Sequence, residues 1–191
     1  VVDVDNDGAL EVLFPNDNYG QIISYNGLDG TVEWVAGGRC DLGTGQPGDM
    51  CYDEGWIETT PVVADIDNDG IPEVVAATDM HIYAFNGEDG SLLWSKYDSG
   101  RFGFWLTSPV LHDFDSDGDL EIVIGSWTWY ILMFDGQTGN LIWDYKTSSG
   151  IYSGIALADL DNDGIPDIIV GDDGGYIYAL KYDKTLLWKQ Y

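Results

Sequence analysis

Nine residues near the start, DVDNDGALE (3–11), set acids at positions 1, 3, 5 and 9 around a glycine at position 6. Three relatives of that stretch follow: DIDNDGIPE (65–73), DFDSDGDLE (113–121) and DLDNDGIPD (159–167). Alternating positions in a tight loop turn their oxygens towards one centre, glycine permits the sharp bend, and position 7 offers a backbone carbonyl. This is chemistry for a hard cation. Ca²⁺ takes about six to eight oxygens in flexible geometry, whereas Mg²⁺ wants a smaller octahedron and keeps waters. An all-oxygen set also disfavours zinc and copper. The expected side-chain ligands are Asp3, Asp5, Asp7 and Glu11; Asp65, Asp67, Asp69 and Glu73; Asp113, Asp115, Asp117 and Glu121; and Asp159, Asp161, Asp163 and Asp167. Backbone oxygens would come from Ala9, Ile71, Asp119 and Ile165. The expected complement is about four Ca²⁺, one per repeat. An ion-free acidic turn closed by Asx bonds is the alternative for a single copy. It fits four copies poorly, because sixteen carboxylates packed in fours would repel one another strongly. Four Ca²⁺ would bring the formal charge from −27 to −19.

The elements that must hold these loops repeat with them. The first aspartates lie 62, 48 and 46 residues apart, and Trp34, Trp94, Trp143 and Trp188 follow them by 31, 29, 30 and 29 residues. Two landmarks in register mark a repeat larger than the loop, and such a repeat decides the fold. Between them run short β-branched or aromatic segments bounded by Gly, Asn, Asp or Pro, such as EVVAA, HIYAFN and SLLWSKY, which is strand grammar. NG and DG pairs between them suit turns that need positive φ. Runs such as IVIG and DIIVG are apolar at successive positions, as in strands buried on both faces. Four-stranded sheets of about 45 residues, each packed between neighbours, describe blades; the coils of a β-solenoid, the rival, have far shorter periods. The expectation is an all-β chain: a β-propeller built from four repeats of four-stranded antiparallel blades, over residues 1–36, 57–98, 104–147 and 151–191, as one domain. Residues 37–56 read as a loop insertion carrying Cys40 and Cys51.

The pattern D-x-D-x-D-G-x-x-[DE] between short strands, at blade spacing, resembles the FG-GAP/VCBS-type repeats of integrin-α-like propellers and of many secreted bacterial proteins. Its ligand order is that of the first half of an EF-hand, with the last acid brought forward to position 9 and no flanking helices. The resemblance covers essentially the whole chain. It implies that each loop joins the first two strands of a blade and holds structural Ca²⁺. It also implies rings of six to eight blades, so the four repeats form a four-bladed ring, part of a larger one, or part of a multi-chain assembly. Val1 and Val2 alone precede the first loop, which makes strand pairing with another chain, and hence a protein partner or self-assembly, an expectation. FDGQTGNLIW (134–143) also looks like quinoprotein blade grammar, without a constellation for a quinone.

Composition bounds the function. With 34 acids against 7 Lys plus Arg, the chain is a poor ligand for nucleic acid or anionic lipid. No apolar run reaches the roughly 18–20 residues of a membrane span. The lack of an initiator Met and of an h-region fits a mature, trimmed or excerpted product. Cys40 and Cys51 are either two thiols or, the preferred reading, a disulfide closing the inserted loop in an oxidising, extracellular setting. His81 and His112 fit packing better than catalysis, and no G-x-S-x-G elbow or Cys–His pair suggests an enzyme. Trp127, Trp129 and Tyr130 in GSWTWYI either pack between blades or stack a sugar or partner; Trp56 and Trp105 read as inter-blade filler. The functional expectation is an extracellular calcium-binding structural or adhesive module without catalysis, with a glycan-binding propeller module, possibly beside a polysaccharide-active enzyme, as the alternative.

Overall fold

Short runs of β-branched and aromatic residues between tight turns produce, among the described residues, fifteen strands and no helix. The computed structural model describes residues 1–16, 21–37, 59–78, 81–98, 100–103 and 106–191. The proposed Cys40–Cys51 pair, Trp56 and Trp105 lie outside the described residues. No helix among the described residues is long and apolar enough to cross a membrane.

The strands fall into four antiparallel sheets that follow chain order. Blade 1 holds β1 (Glu11–Asn16), β2 (Gln21–Asn26) and β3 (Val32–Gly37). Blade 2 holds β4 (Val62–Ala64), β5 (Glu73–Ala77), β6 (His81–Asn86) and β7 (Leu92–Tyr97). Blade 3 holds β8 (Val110–His112), β9 (Glu121–Gly125), β10 (Tyr130–Asp135) and β11 (Leu141–Lys146). Blade 4 holds β12 (Ala156–Ala158), β13 (Asp167–Gly171), β14 (Ile177–Leu180) and β15 (Leu186–Gln190). Blade 1 thus has three strands, and its place for a first strand is marked by a single bridge between Val2 and Glu11.

Every last hairpin carries a register shift at the same place, as at Ala84/Phe85 and Met133/Phe134. The turns explain it. In NGLDG (26–30) the second glycine, Gly30, has φ +73°, as Gly90 (+71°) and Gly139 (+64°) have in their blades. The first glycine serves a different need than the expected positive φ. Gly27 donates its amide to the Leu10 carbonyl at 2.8 Å, and Gly136 donates to that of Leu120 at 2.9 Å. A Cβ at either would collide with that carbonyl. The last turn of each of these blades is therefore pressed against its acidic loop, on the same rim.

Packing runs between sheets. Val75, Ala77, Ile82, Ala84 and Trp94 of blade 2 share a buried cluster with Ile122, Ile124, Leu132 and Phe134 of blade 3. The opposite face of blade 2, with Val74, Ala76, Tyr83 and Phe85, packs on Val4, Ile22, Trp34 and Ala36. Phe114, Val123, Ile131, Met133 and Trp143 pack on Ile168, Val170 and Leu180 of blade 4. A central strand such as EIVIG is buried at all five positions because both its faces meet a neighbouring sheet.

Candidate metal centre

Each acidic loop joins the stub or first strand of its blade to the second, and its shape is set by its own polar groups. Position 4, Asn6, Asn68, Ser116 or Asn162, has φ between 58° and 63°. Position 6, Gly8, Gly70, Gly118 or Gly164, has φ between 91° and 97°. Asn tolerates the left-handed region and glycine enters it freely, which accounts for both residue types.

The first aspartate accepts the amide of position 6: Gly8 N to Asp3 at 3.1 Å, Gly70 N to Asp65 at 3.1 Å, Gly118 N to Asp113 at 3.1 Å and Gly164 N to Asp159 at 3.0 Å. The ninth residue accepts the amide of position 2. Val4 N donates to Glu11 at 2.7 Å, Ile66 N to Glu73 and Phe114 N to Glu121 at 2.8 Å, and Leu160 N to Asp167 at 2.9 Å. Asp167 therefore makes the same bond as the three glutamates despite its shorter side chain. All four of these acids are buried.

In every loop the acids at positions 1, 3 and 9 bring carboxylate oxygens within 4.8 Å of one another: Asp3, Asp5 and Glu11; Asp65, Asp67 and Glu73; Asp113, Asp115 and Glu121; Asp159, Asp161 and Asp167. The acid at position 5 lies outside that grouping. One oxygen of Asp7, Asp69, Asp117 and Asp163 accepts the amide of Ala9, Ile71, Asp119 and Ile165 at 2.7, 2.8, 2.9 and 3.0 Å. Position 5 shapes the loop, then, and has its second oxygen for other work.

Two observations make these groups suited to a cation. Asp3 Oδ1, Glu11 Oε1, Asp65 Oδ1 and Glu73 Oε1 are buried without a hydrogen-bond partner, an arrangement that costs free energy unless something positive lies against them. Burial, and then the aspartates beside them, push Glu73 and Glu121 up to about 7 against the pull of their amide donors. Burial likewise raises Glu11. A cation bound among the oxygens would reverse that by favouring the charged form.

The fourth loop differs. Lys181 Nζ lies 2.6 Å from Asp161 and 2.7 Å from Asp163. The third loop also carries contacts the sequence did not announce. Asp119 accepts from Asn68 of the preceding loop at 2.7 Å and from Gln137 at 3.0 Å. Asn6 likewise donates to the Gly70 carbonyl at 2.6 Å. The asparagine at position 4 in three of the four copies was the available signal for these loop-to-loop bonds.

A family model for the FG-GAP-like repeat matches residues 3–76, 65–124 and 113–170. The chain belongs to the FG-GAP-like repeat family. Those matches overlap from loop to loop, so the family repeat and the blades share one period. No significant match was found among curated proteins by sequence. Solved structures similar to this FG-GAP-like chain include a quinohemoprotein alcohol dehydrogenase, ADHIIG, from Pseudomonas putida HK5, at 16% identity and TM-score 0.64 over 96% of this chain and 33% of that one. The Pan2 WD40 domain of Neurospora crassa aligns at 14% identity and TM-score 0.61 over all of this chain and 48% of that one. The computationally designed Ika4 protein aligns at 15% identity and TM-score 0.61, over 90% and 84%. At these identities the likeness is one of fold: the FG-GAP-like blades are β-propeller blades. The chain spans a third to under two thirds of the length of the first of its structural neighbours.

The aromatic cluster sits on the other rim, at the turn between β9 and β10. Trp127 leans on Tyr152, with ring centroids 6.5 Å apart, and covers Gly150. Trp129 is 46% exposed and has φ +78°, a conformation that a bulky residue rarely adopts. Lys146 Nζ stands 5.8 Å from the Trp129 ring and 5.6 Å from that of Tyr130. Both indoles are partly exposed, Trp127 at 40% and Trp129 at 46%, and Trp127 also touches the segment between blades 3 and 4.

Proposed function

We propose that this FG-GAP-like propeller is an extracellular structural or adhesive module whose loops bind Ca²⁺, and that it carries no catalysis of its own. The observation that supports it best is the buried position-9 glutamate. One oxygen of Glu11 or Glu73 holds a backbone amide, while the other has no partner and belongs to a group with two aspartates. A hard cation supplies the missing partner, and the second oxygen of Asp7 or Asp69, the carbonyl of Ala9 or Ile71, and water would complete a Ca²⁺ shell. The residues themselves fix the loop: positions 1 and 9 tie down two amides, and position 5 a third. Extracellular modules meet Ca²⁺ at millimolar levels, where weak sites of this kind fill. The test is thermal unfolding with Ca²⁺ and with excess chelator. Binding to the folded state alone raises the melting temperature, so a large fall on chelation is expected; identical curves would remove the calcium reading.

A second reading, a glycan-binding module, is favoured by Trp129. An exposed indole held at positive φ beside a cationic Lys146 is a platform on which a sugar ring can stack. A glycan array probed with the wild-type chain and with Trp129→Asn tests it, since asparagine tolerates the same backbone. Binding that Trp129→Asn abolishes supports this reading, and the absence of any hit removes it.

A further inference from the structure

The first three acidic loops touch one another through the asparagine at position 4. Asn6 of the first loop donates its side-chain amide to the Gly70 carbonyl of the second at 2.6 Å. Asn68 of the second donates to Asp119 Oδ1 of the third at 2.7 Å. Each asparagine stands between two acids of its own loop, Asp5 and Asp7 or Asp67 and Asp69, and is held at φ 58° or 63°. Each also grips a part of the next loop that the acids there fix. The Gly70 amide donates to Asp65 at 3.1 Å. The peptide after Gly70 gives its carbonyl to Asn6 and its N–H, that of Ile71, to Asp69 at 2.8 Å. Asp119 holds position 7 of its loop and donates its own amide to Asp117 at 2.9 Å.

A turn glycine is lodged between the same pairs of loops. A Cβ at Gly87 would collide with the carbonyl oxygens of Val4, in the first loop, and of Pro72, in the second. A Cβ at Gly136 would collide with the Leu120 carbonyl, in the third loop, and stand 3.5 Å from Ile66 Cβ, in the second. Both glycines are pinned in place by an indole of the preceding blade: Trp34 Nε1 donates to the Gly87 carbonyl at 2.8 Å and Trp94 Nε1 to that of Gly136 at 2.9 Å. Atoms packed this closely move together, since no void lies between them. The third and fourth loops have neither part. Ser116 stands in the asparagine's place with a side chain one atom shorter, and no hydrogen bond joins these two loops among the described residues. Tyr182 takes the place of the lodged glycine. The sheets still meet there, because Trp143 Nε1 donates to the Tyr182 carbonyl at 2.5 Å. The break is between the loops and not between the blades.

We propose that the first three loops bind cations as one coupled array, with Asn6 and Asn68 as the positioning residues that link them, and that the fourth loop binds alone. Glu11 and Glu73 are fully buried, and each leaves one oxygen without a partner in its group, which a cation would take up. Once Asp65, Asp67 and Glu73 are drawn together, the Gly70 peptide is held, and with it Asn6. Asn6 then keeps Asp5 and Asp7 near their binding positions, so the first loop orders at less cost. The first loop favours the second by the same factor, because coupling between sites is reciprocal. A side-chain hydrogen bond of this kind changes an equilibrium constant by roughly two- to tenfold, which is the coupling expected of each link. Charge opposes it, since a filled loop attracts the next cation less. The clasps act through contact and salt does not screen them, so the coupling should grow more favourable from low salt to about 0.15 M. The inference rests on the calcium reading of these loops and deepens it by naming how the sites regulate one another.

Nuclear magnetic resonance of the 191-residue chain offers one probe per loop, because the amides of Gly8, Gly70, Gly118 and Gly164 each donate to the first aspartate of their loop. Their resonances are followed as Ca²⁺ is added in about 0.15 M salt. Gly8, Gly70 and Gly118 should shift together, over a narrower range of Ca²⁺ than independent sites allow, and Gly164 separately. Asn68→Ser copies what stands at Ser116, which holds the same φ of 63°, so the loop should keep its shape. It should release Gly118 from the group and leave Gly8 and Gly70 coupled, whereas Asn6→Ser should release Gly8. Asp115→Ala, at an exposed position, disables the third loop. It should weaken Ca²⁺ binding at Gly70 roughly two- to tenfold in the wild-type chain and leave it unchanged in Asn68→Ser. Spectra without metal check that each variant folds. Four glycines that answer Ca²⁺ independently, or an Asn68→Ser chain whose Gly118 still moves with Gly70, overturn the inference and leave the calcium reading standing. Glycines that do not answer millimolar Ca²⁺ overturn both.

Discussion

Lys181 places its ammonium 2.6 Å from Asp161 and 2.7 Å from Asp163, inside the one loop whose last acid is an aspartate. The corresponding residues of the other blades, Asn26, Asn86 and Asp135, bring no positive charge. The hydrogen bonds to Asp161 and Asp163 in turn hold the Lys181 ammonium well above its ordinary range. The fourth loop thus carries a resident cation that a divalent ion must displace. Calorimetric titration should resolve three tighter Ca²⁺ sites and one weaker. Lys181→Met should strengthen the weak site by about tenfold or more, because the competing charge is gone. Four equal sites in the wild type would contradict the assignment.

Glu73→Gln separates loop shape from charge. Glutamine can still accept the Ile66 amide through its carbonyl oxygen, so the loop should keep its form. Without metal the substitution removes a buried, uncompensated negative charge, and the chain should melt higher than wild type in chelator. With saturating Ca²⁺ the order should reverse, because a charged ligand has been lost. Melts of both proteins under both conditions check this crossing; parallel shifts would contradict it.

The pH dependence follows from the same groups. Burial raises Glu73 and Glu121 to about 7, above the ordinary carboxylate value near 4.5. The metal-free folded chain therefore binds more protons than the unfolded chain between those values, and its stability falls as pH rises through that window. Urea midpoints in chelator should be higher at pH 5 than at pH 8. Asp98 and Asp172, which are lowered despite partial burial by their hydrogen bonds, finish titrating below this range and do not alter the sign. Ca²⁺ affinity should run the other way and increase with pH, since protons compete for the same oxygens.

A matched pair of glycines measures the tryptophan seat. Gly139→Ala puts a methyl group at φ +64°, 2.6 Å from the Trp94 ring, whereas Gly30→Ala adds the same methyl at φ +73° with nothing near it in the single chain. Both should show backbone strain of order 1 kcal/mol. The first should add the cost of an overpacked joint, roughly 1–3 kcal/mol more. Denaturant unfolding gives the difference.

The loops were legible because the acids that could hold an ion are spaced by local geometry, and the four-fold recurrence of Asp, Gly and acid marked both their place and the blade period. The strands were legible from their composition. What sequence could not apportion was the work of each oxygen. Asp7 and Asp3 look alike in DVDNDG, yet Asp7 closes a turn on Ala9 while Asp3 joins Asp5 and Glu11. Gly27 and Gly30 look alike too, but one answers a close approach by Leu10 and the other a positive φ. The Trp34-to-Gly87 bond spans 53 residues and depends on how two sheets lie together, which periodicity does not state. Trp188 reads as core from its recurrence with Trp34, Trp94 and Trp143, whereas it is 40% exposed.

Val4, Ile66 and Phe114 each stand between two acids of a loop and are wedged into the next sheet. Whatever grips Asp65 and Asp67 also grips Ile66, so the wedge is held at its root. A pull along the chain would meet that grip at every joint in turn. The stiffness of these three joints would then be set, link by link, by any cation that the loops take up.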